Sequence, residues 1–252
     1  RWYEVTGVQT CALPILDCGS TSLGGVGERV LAPYLWQRGR NRIDVLFLSH
    51  ADADHVNGLP QLFDRFKVGR VYVSEVFADE PGGAAIVAWL EDRCEVRVLR
   101  RGDVVALADG LEVRCLWPDA GFVKNVVPDS ERHNDAGLVL LLQAGERRVL
   151  LPSDVESDGL AGVLPLLDDK PIDVLMAPHH GSHVDGLPSM LQRLQPEHVV
   201  LSARESFPAE DSLVIYGKAV PNVWQTWQSG AVTFLIGADG SLRAETYLRP
   251  EK

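Results

Sequence analysis

The sequence predicts a layered α/β domain, with two sheets enclosed between layers of helices. Three observations lead there. Short apolar runs alternate with segments of helical periodicity along the chain, the pattern of stacked α and β layers. Three pairs of strand-like runs flank tight polar turns, at Ala108-Asp109-Gly110, Ala144-Gly145-Glu146 and Ala238-Asp239-Gly240, so antiparallel hairpins are mixed among the helices. No internal repeat and no long linker divides the 252 residues, and 46 % apolar residues suffice for one sizeable core.

The elements follow in order. Residues 26–37 read as a helix, because Val26, Val30, Leu31, Tyr34 and Leu35 form one apolar stripe. The nearly continuous apolar run 43–48 predicts a strand covered on both faces. A helix is expected over 55–66, with Leu59, Leu62, Phe63 and Phe66 on one side. Strand 70–74, helix 83–92 and strand 95–99 come next, then the hairpins 104–107 with 111–117 and 138–143 with 147–151. A helical segment follows Asp154, and the apolar run 172–177 reads as a strand. Helix 187–194, strand 197–202 and the hairpin 232–236 with 242–246 close the chain.

Composition narrows the function classes. No apolar stretch approaches the ~18–20 residues of a membrane span, and none resembles a signal peptide. The four cysteines, at 11, 18, 94 and 115, have no metal-type spacing. Cys94 and Cys115 lie in strand-like runs and are expected to be buried thiols. A formal charge of −11 argues against strong non-specific attraction to nucleic acid. The pairs Arg100-Arg101 and Arg147-Arg148 read as solvated surface rather than as a phosphate track.

The chemistry concentrates in His50-Ala51-Asp52-Ala53-Asp54-His55, directly after the apolar run 43–48. Imidazoles and carboxylates held this closely repel or lose hydration unless a cation offsets the charge. A solvated polar turn is the alternative; a metal site explains the composition better. Two more apolar runs end in the same residue types. Val149-Leu150-Leu151 leads into Pro152-Ser153-Asp154, and Ile172-Asp173-Val174-Leu175-Met176-Ala177 into Pro178-His179-His180-Gly181-Ser182. Asp154 alone would serve as a helix N-cap as readily as a ligand. Three strand exits that each carry His or Asp are the stronger signal, since α/β folds build sites at strand ends.

These residues resemble the H-x-H-x-D-H signature of the metallo-β-lactamase fold, with Asp17 in Asp17-Cys18-Gly19 matching its early Asp-x-Gly. The form H-x-D-x-D-H is similar to one branch, the domain at the end of ComEC-type DNA-uptake channel proteins. Asn134-Asp135-x-Gly137-Leu138-Val139-Leu140 and the later His-His-Gly-Ser fit that branch. So do Gly27-Glu28-Arg29 with Pro33-Tyr34-Leu35, and Arg101-Gly102-Asp103 ahead of Trp117-Pro118. The resemblance covers about 15–200 and fades over 204–221.

The resemblance implies an αββα four-layer sandwich, two mixed sheets between helical layers, with the N-terminal strands truncated. It implies metal ligation by His50, Asp52, Asp54, His55, Asp154 and His179, with Asp154 bridging two metals. Asp52, Asp54 and His180 are the expected catalytic groups, and Asp17, Asn134 and Ser182 the structural support. The cofactor would be one or two divalent ions, zinc or manganese, with magnesium also compatible. The implied activity is metal-dependent hydrolysis, a phosphodiesterase or nuclease acting on the DNA strand that is not transported. Single-stranded DNA and the transmembrane channel portion of a longer protein are the implied partners, in a bacterial cell membrane with this domain soluble on the outer face. A small-molecule hydrolase on the same site, or a catalytically weak DNA-binding or gating domain, are the competing readings.

The chain departs from the family pattern in three places. Asp52 stands where the signature has its second His, which hardens the donor set. The usual mid-chain His is replaced near Asn134, with His133 one residue away. Tyr216-Gly217-Lys218 is the nearest echo of a Gly-His-Pro element and lacks the His. Separately, Val5-Thr6-Gly7-Val8-Gln9-Thr10-Cys11-Ala12-Leu13-Pro14-Ile15 resembles the translation of a sequencing-library adapter. Residues 1–14 are therefore expected to be non-native, residues 1–13 to make few core contacts, and 15–252 to form the domain.

Overall fold

The computed structural model of the chain describes residues 2–4, 14–108, 110–122 and 133–248. A three-stranded antiparallel sheet joins β1 (Trp2–Glu4) to β13 (Val232–Gly237) and β13 to β14 (Leu242–Thr246). A four-stranded parallel sheet has the order β2 (Pro14–Leu16), β3 (Arg42–Phe47), β4 (Lys67–Ser74), β5 (Glu95–Leu99). The largest sheet is mixed, with seven strands. Its parallel half contains β12 (Asn222–Gln225), β11 (His198–Leu201), β10 (Val174–Met176) and β9 (Arg147–Leu151). Its antiparallel half continues through β8 (Val139–Ala144), β7 (Leu111–Trp117) and β6 (Val104–Ala108).

Strand periodicity sorts the side chains into layers. Val45 and Phe47 face inward while Leu46 and Leu48 face the helices; Leu140 and Leu142 alternate in the same way with Leu141. Between the sheets, Phe47, Tyr72 and Phe234 meet Val113, Leu140 and Val174. Outside the parallel sheet, Leu46, Val71 and Val73 pack under Leu35, Leu62, Phe77 and Leu90. Outside the large sheet, Leu150, Leu175 and Val199 pack under Leu160, Met190 and Leu194. Each fully buried aliphatic of this kind contributes roughly 1.5–3 kcal/mol. The result is the four-layer sandwich the sequence predicts, and it explains the near-continuous apolar runs: both faces of each central strand are covered.

Several elements differ from expectation. The helix expected over 55–66 is two short helices, α2 (Ala53–Val56) and α3 (Leu59–Phe63). Pro60 lacks an N–H and fits only a first turn, while a side chain at Gly58 would collide with the Cys18 carbonyl. The helix expected over 26–37 opens with a wider π turn, Gly27–Leu31, before the α-helical Ala32–Gln37. The helices Glu75–Asp79 and Glu210–Ala219 and the strand β12 carried no clear sequence signal. Glu210–Ala219 buries Ser212 and Tyr216 rather than an aliphatic stripe. Cys115 is buried as expected, but Cys94 only half so. Of the segment 1–14, Trp2–Glu4 is an edge strand on β13 and Pro14 pairs with Val45. Positions 1 and 5–13, with Asp109, lie outside the described residues.

Tyr216 yields a stability prediction. It is fully buried in the outer core, and among the described residues its hydroxyl has no hydrogen-bond partner. Removing an unsatisfied buried hydroxyl removes a desolvation penalty without breaking a bond. Tyr216→Phe is therefore expected to leave stability unchanged or raise it by about 1 kcal/mol. A lower urea midpoint for the variant would show that the hydroxyl has a partner after all.

Candidate metal centre

Strands from both sheets end at one cleft. β2 delivers Asp17, and β3 runs through Leu48, Ser49 and His50 into α2, which carries Asp54 and His55. From the facing sheet, β9 delivers Ser153 and Asp154, and β10 delivers the turn Pro178–Gly181 with His179 and His180. Parallel strands share a direction, so their exits gather on one edge. Four of the five described non-glycine residues with left-handed φ stand here: Asp17 (56°), Ser153 (55°), His179 (44°) and His180 (55°). Each such residue stores of order 1 kcal/mol, and strain of this kind collects at sites.

Asp54, His55, Asp154 and His180 each offer one donor atom, and these atoms all lie within 4.8 Å of one another. Donors bound to one ion at ~2.0–2.6 Å are separated by at most about 5.2 Å, so this group matches a single coordination sphere. The imidazoles are oriented for it. His55 Nδ1 lies 2.8 Å from Asp17 Oδ2, and His180 Nδ1 lies 2.8 Å from the Ser202 carbonyl. Among the described residues their buried Nε2 atoms have no hydrogen-bond partner; they lie 3.2 Å and 3.4 Å from Asp154 Oδ2. Buried polar atoms rarely go unpaired. Two carboxylates and two inward-facing imidazole nitrogens therefore fit a divalent cation.

The electrostatics agree. Burial, the largest influence on His55, lowers its pKa, yet the flanking Asp17 and Asp154 overcome it and push the value up to about 11. Burial would raise the Asp154 carboxyl, but His180 and His55 hold it far below the usual carboxylate range. The anionic cleft thus recruits protons in the absence of a cation.

His50 and Asp52 stand beside this group rather than within it. The His50 ring centroid is 4.0 Å from that of His55, and its buried Nε2, 3.6 Å from Asp52 Oδ2, also lacks a partner. Asp52 is held below its ordinary pKa by His50 first and then by the charges of His55 and His133. His133, one residue from the expected mid-chain position, points Nδ1 at Glu80 Oε1, 2.9 Å away. His179 is not brought into the four-residue group. Its Nδ1 faces Glu156 Oε1 at 3.1 Å and its Nε2 is 3.9 Å from Asp154. His180, expected as a catalytic group, is the member of the pair that joins the four-residue group. Asn134 donates to the same Glu156 carboxylate at 3.0 Å, and Ser182 donates its N–H to the His179 carbonyl at 2.9 Å.

Two further residues shape the centre without having been singled out. Ser49 Oγ lies 2.7 Å from Asp17 Oδ2, 3.0 Å from His50 Nδ1 and 3.2 Å from His55 Nδ1, joining three site residues. Asp135 Oδ1 accepts the N–H groups of Glu156 and Gly159 at 2.7 Å each, capping the helix Ser157–Val163 that follows Asp154. Asp154 is thereby released from the capping role that the sequence left open. Asp135 stood inside a quoted motif; Ser49 carried no local signal beyond adjacency to His50.

The fold and the four-donor group together define a metallo-hydrolase, and the chain belongs to the Metallo-beta-lactamase superfamily, whose family model matches residues 14–203. More particularly, it is 30 % identical over 214 residues to ComE operon protein 3 of Bacillus subtilis (strain 168). That match covers 83 % of this chain and 26 % of the relative, so the chain spans about a quarter of the relative's length. Solved structures carry the same fold. YhfI of Bacillus subtilis, a metallo-beta-lactamase fold protein, superposes with a TM-score of 0.54 at 13 % identity, covering 92 % of this chain and 87 % of that one. A diphosphatase of the PhnP family gives 0.50 at 17 % identity, covering 86 % and 80 %.

Proposed function

We propose that this domain is a metal-dependent phosphodiesterase that hydrolyses single-stranded DNA, the strand not carried inward by a DNA-uptake channel. The observation that carries the reading is the group of Asp54, His55, Asp154 and His180, whose buried imidazole Nε2 atoms face Asp154 with no hydrogen-bond partner among the described residues. The relative supplies the biological direction, through its name and its 30 % identity. In this reading Asp54, His55, Asp154 and His180 would hold one ion, and His50 and Asp52 would be the donors for a second. When bound, divalent zinc or manganese, or magnesium, would supply Lewis acidity toward phosphate oxygens and a nucleophilic water near neutral pH. Asp52, half exposed and held below its ordinary pKa by His50, would act as a general base where it does not serve as a donor. His179, whose Nδ1 faces Glu156, would hydrogen-bond substrate or protonate a leaving group. Asp17 and Ser49 orient the ligands, and Asn134 and Ser182 hold the Glu156–His179 flank. The longer protein would sit in a bacterial cell membrane, with its transmembrane channel portion as partner and this domain on the outer face. Among the described residues, no helix is long and apolar enough to cross a membrane.

One observation favours a second reading, hydrolysis of a small ester or phosphodiester. The cleft shares Leu16, Leu31, Leu151 and Met176 with an apolar cavity of about 310 Å³ between the sheets. The basic pairs do not form a free phosphate track: Arg100 pairs with Glu75, Arg101 with Asp119, Arg147 with Asp173 and Arg148 with Asp168. The deciding experiment is metal analysis of the purified domain, with single-stranded DNA digestion across zinc, manganese and magnesium. Metal-dependent cleavage of the strand is the expected result. A metal-loaded domain that leaves DNA intact but turns over a small aryl phosphodiester would favour the second reading, and one that binds DNA without cleaving anything would favour the gating role.

A further inference from the structure

Phe207 lies on the turn that follows β11, and its ring stands over the histidine pair. The centroid is 5.8 Å from that of His180, nearly perpendicular at 85°, and 6.2 Å from that of His179. The ring is 39 % exposed, so part of its surface is open to a group entering the cleft. The turn is held in place. Phe207 N–H donates to the Arg204 carbonyl at 3.0 Å and Ala209 N–H to the Gly181 carbonyl at 3.1 Å, while Ala203 N–H donates to Thr226 Oγ1 at 3.1 Å. Arg204, in the same turn, is exposed and makes no ion pair with the described residues.

We infer that Phe207 is a stacking platform for a nucleobase next to the scissile phosphate, with Arg204 meeting a neighbouring phosphate; this rests on the phosphodiesterase reading above. The charge balance favours such a contact. A domain of net charge −11 attracts a phosphate backbone poorly, whereas stacking on an aromatic face is indifferent to net charge. Stacking is also sequence-tolerant, because every base has a π face, which suits degradation of an arbitrary strand.

The test uses the full chain, a labelled oligothymidylate, and the same oligonucleotide made wholly abasic. Binding is read by fluorescence anisotropy in EDTA, and cleavage as kcat and KM in manganese. The native protein is expected to bind the base-bearing strand about tenfold or more tightly than the abasic one, the scale of one stacked base. Phe207→Ala should lose that preference through KM, Phe207→Trp should keep it, and metal content should be the same in all. Arg204→Ala should weaken both strands alike and lower the salt dependence of log Kd by about one. Equal losses of Phe207→Ala on both strands would mean that the ring only shields the histidines, and the proposal is overturned. So is it if the native protein cleaves DNA without preferring bases. If the native protein neither binds nor cleaves either strand, the phosphodiesterase reading itself fails.

Discussion

Asp154→Asn is expected to abolish metal retention and to lower hydrolysis on the order of 10²-fold or more, as breaking a metal's inner shell does. The carboxylate is buried between His55 Nε2 at 3.2 Å, His180 Nε2 at 3.4 Å and His179 Nε2 at 3.9 Å. An amide of the same shape keeps one oxygen and loses the charge that balances the cation. Folding should survive, because the three apolar clusters that form the layers do not pass through this side chain. A pH dependence accompanies the effect. With its pKa up at about 11, His55 is protonated in the metal-free protein, so metal binding must release that proton. Metal retention by the native domain should therefore fall as pH falls. The readouts are metal content by elemental analysis, circular dichroism and strand cleavage. A folded Asp154→Asn that keeps its metal and its activity would place the chemistry elsewhere in the molecule.

Gly19→Ala is expected to combine a loss of stability with a loss of metal affinity, although residue 19 offers no donor atom. A methyl group there would fall on the Asp54 carbonyl and lie 2.5 Å from the His55 nitrogen. Those atoms are backbone, held by the bond from Cys18 N–H to the His55 carbonyl at 2.8 Å, so they must shift by most of an ångström. Overpacking of this kind costs about 1–3 kcal/mol, and misplacing catalytic groups by about 1 Å costs about 10²-fold in rate. Gly217→Ala is the contrast. It lies within the helix Glu210–Ala219, a side chain there meets nothing within 4 Å, and a gain of about 0.5–1 kcal/mol is expected. Thermal melts with a chelator-competition titration separate the two effects. A Gly19→Ala protein with native metal affinity would show that α2 can move without disturbing its ligands.

Much of the centre was legible because its residues are clustered locally. His50, Asp52, Asp54 and His55 lie within six positions, and each of the other candidate residues follows an apolar strand, so hydrophobic patterning alone brings them to strand exits. The layers were legible for the same reason, since the alternation of Val45 and Phe47 with Leu46 and Leu48 follows from the two-residue period of a strand. The split of the expected helix over 55–66 was less so. Pro60 hints at a break, but the need for Gly58 depends on Cys18, forty positions earlier in the chain. Glu210–Ala219 was missed because its burial rests on Ser212 and Tyr216, which no apolar stripe announces.

By itself the sequence determined the class of fold, the presence of a cation-binding cluster and the strand exits that build it. These depend on side-chain period and on residue type, and both are local properties. Only the tertiary structure decided which neighbour takes which role. His179 and His180 are adjacent and chemically identical, yet a left-handed backbone at both turns His180 toward Asp154 and His179 toward Glu156. The sequence left Asp154 open to cap the helix Ser157–Val163, but Asp135, from a distant segment, takes that place and leaves the Asp154 carboxylate to the histidines. Ser49 became a hub because Asp17, from another strand, comes within 2.7 Å of its hydroxyl. In each case the deciding contact joins residues brought together by packing, where distance in space is unrelated to distance along the chain.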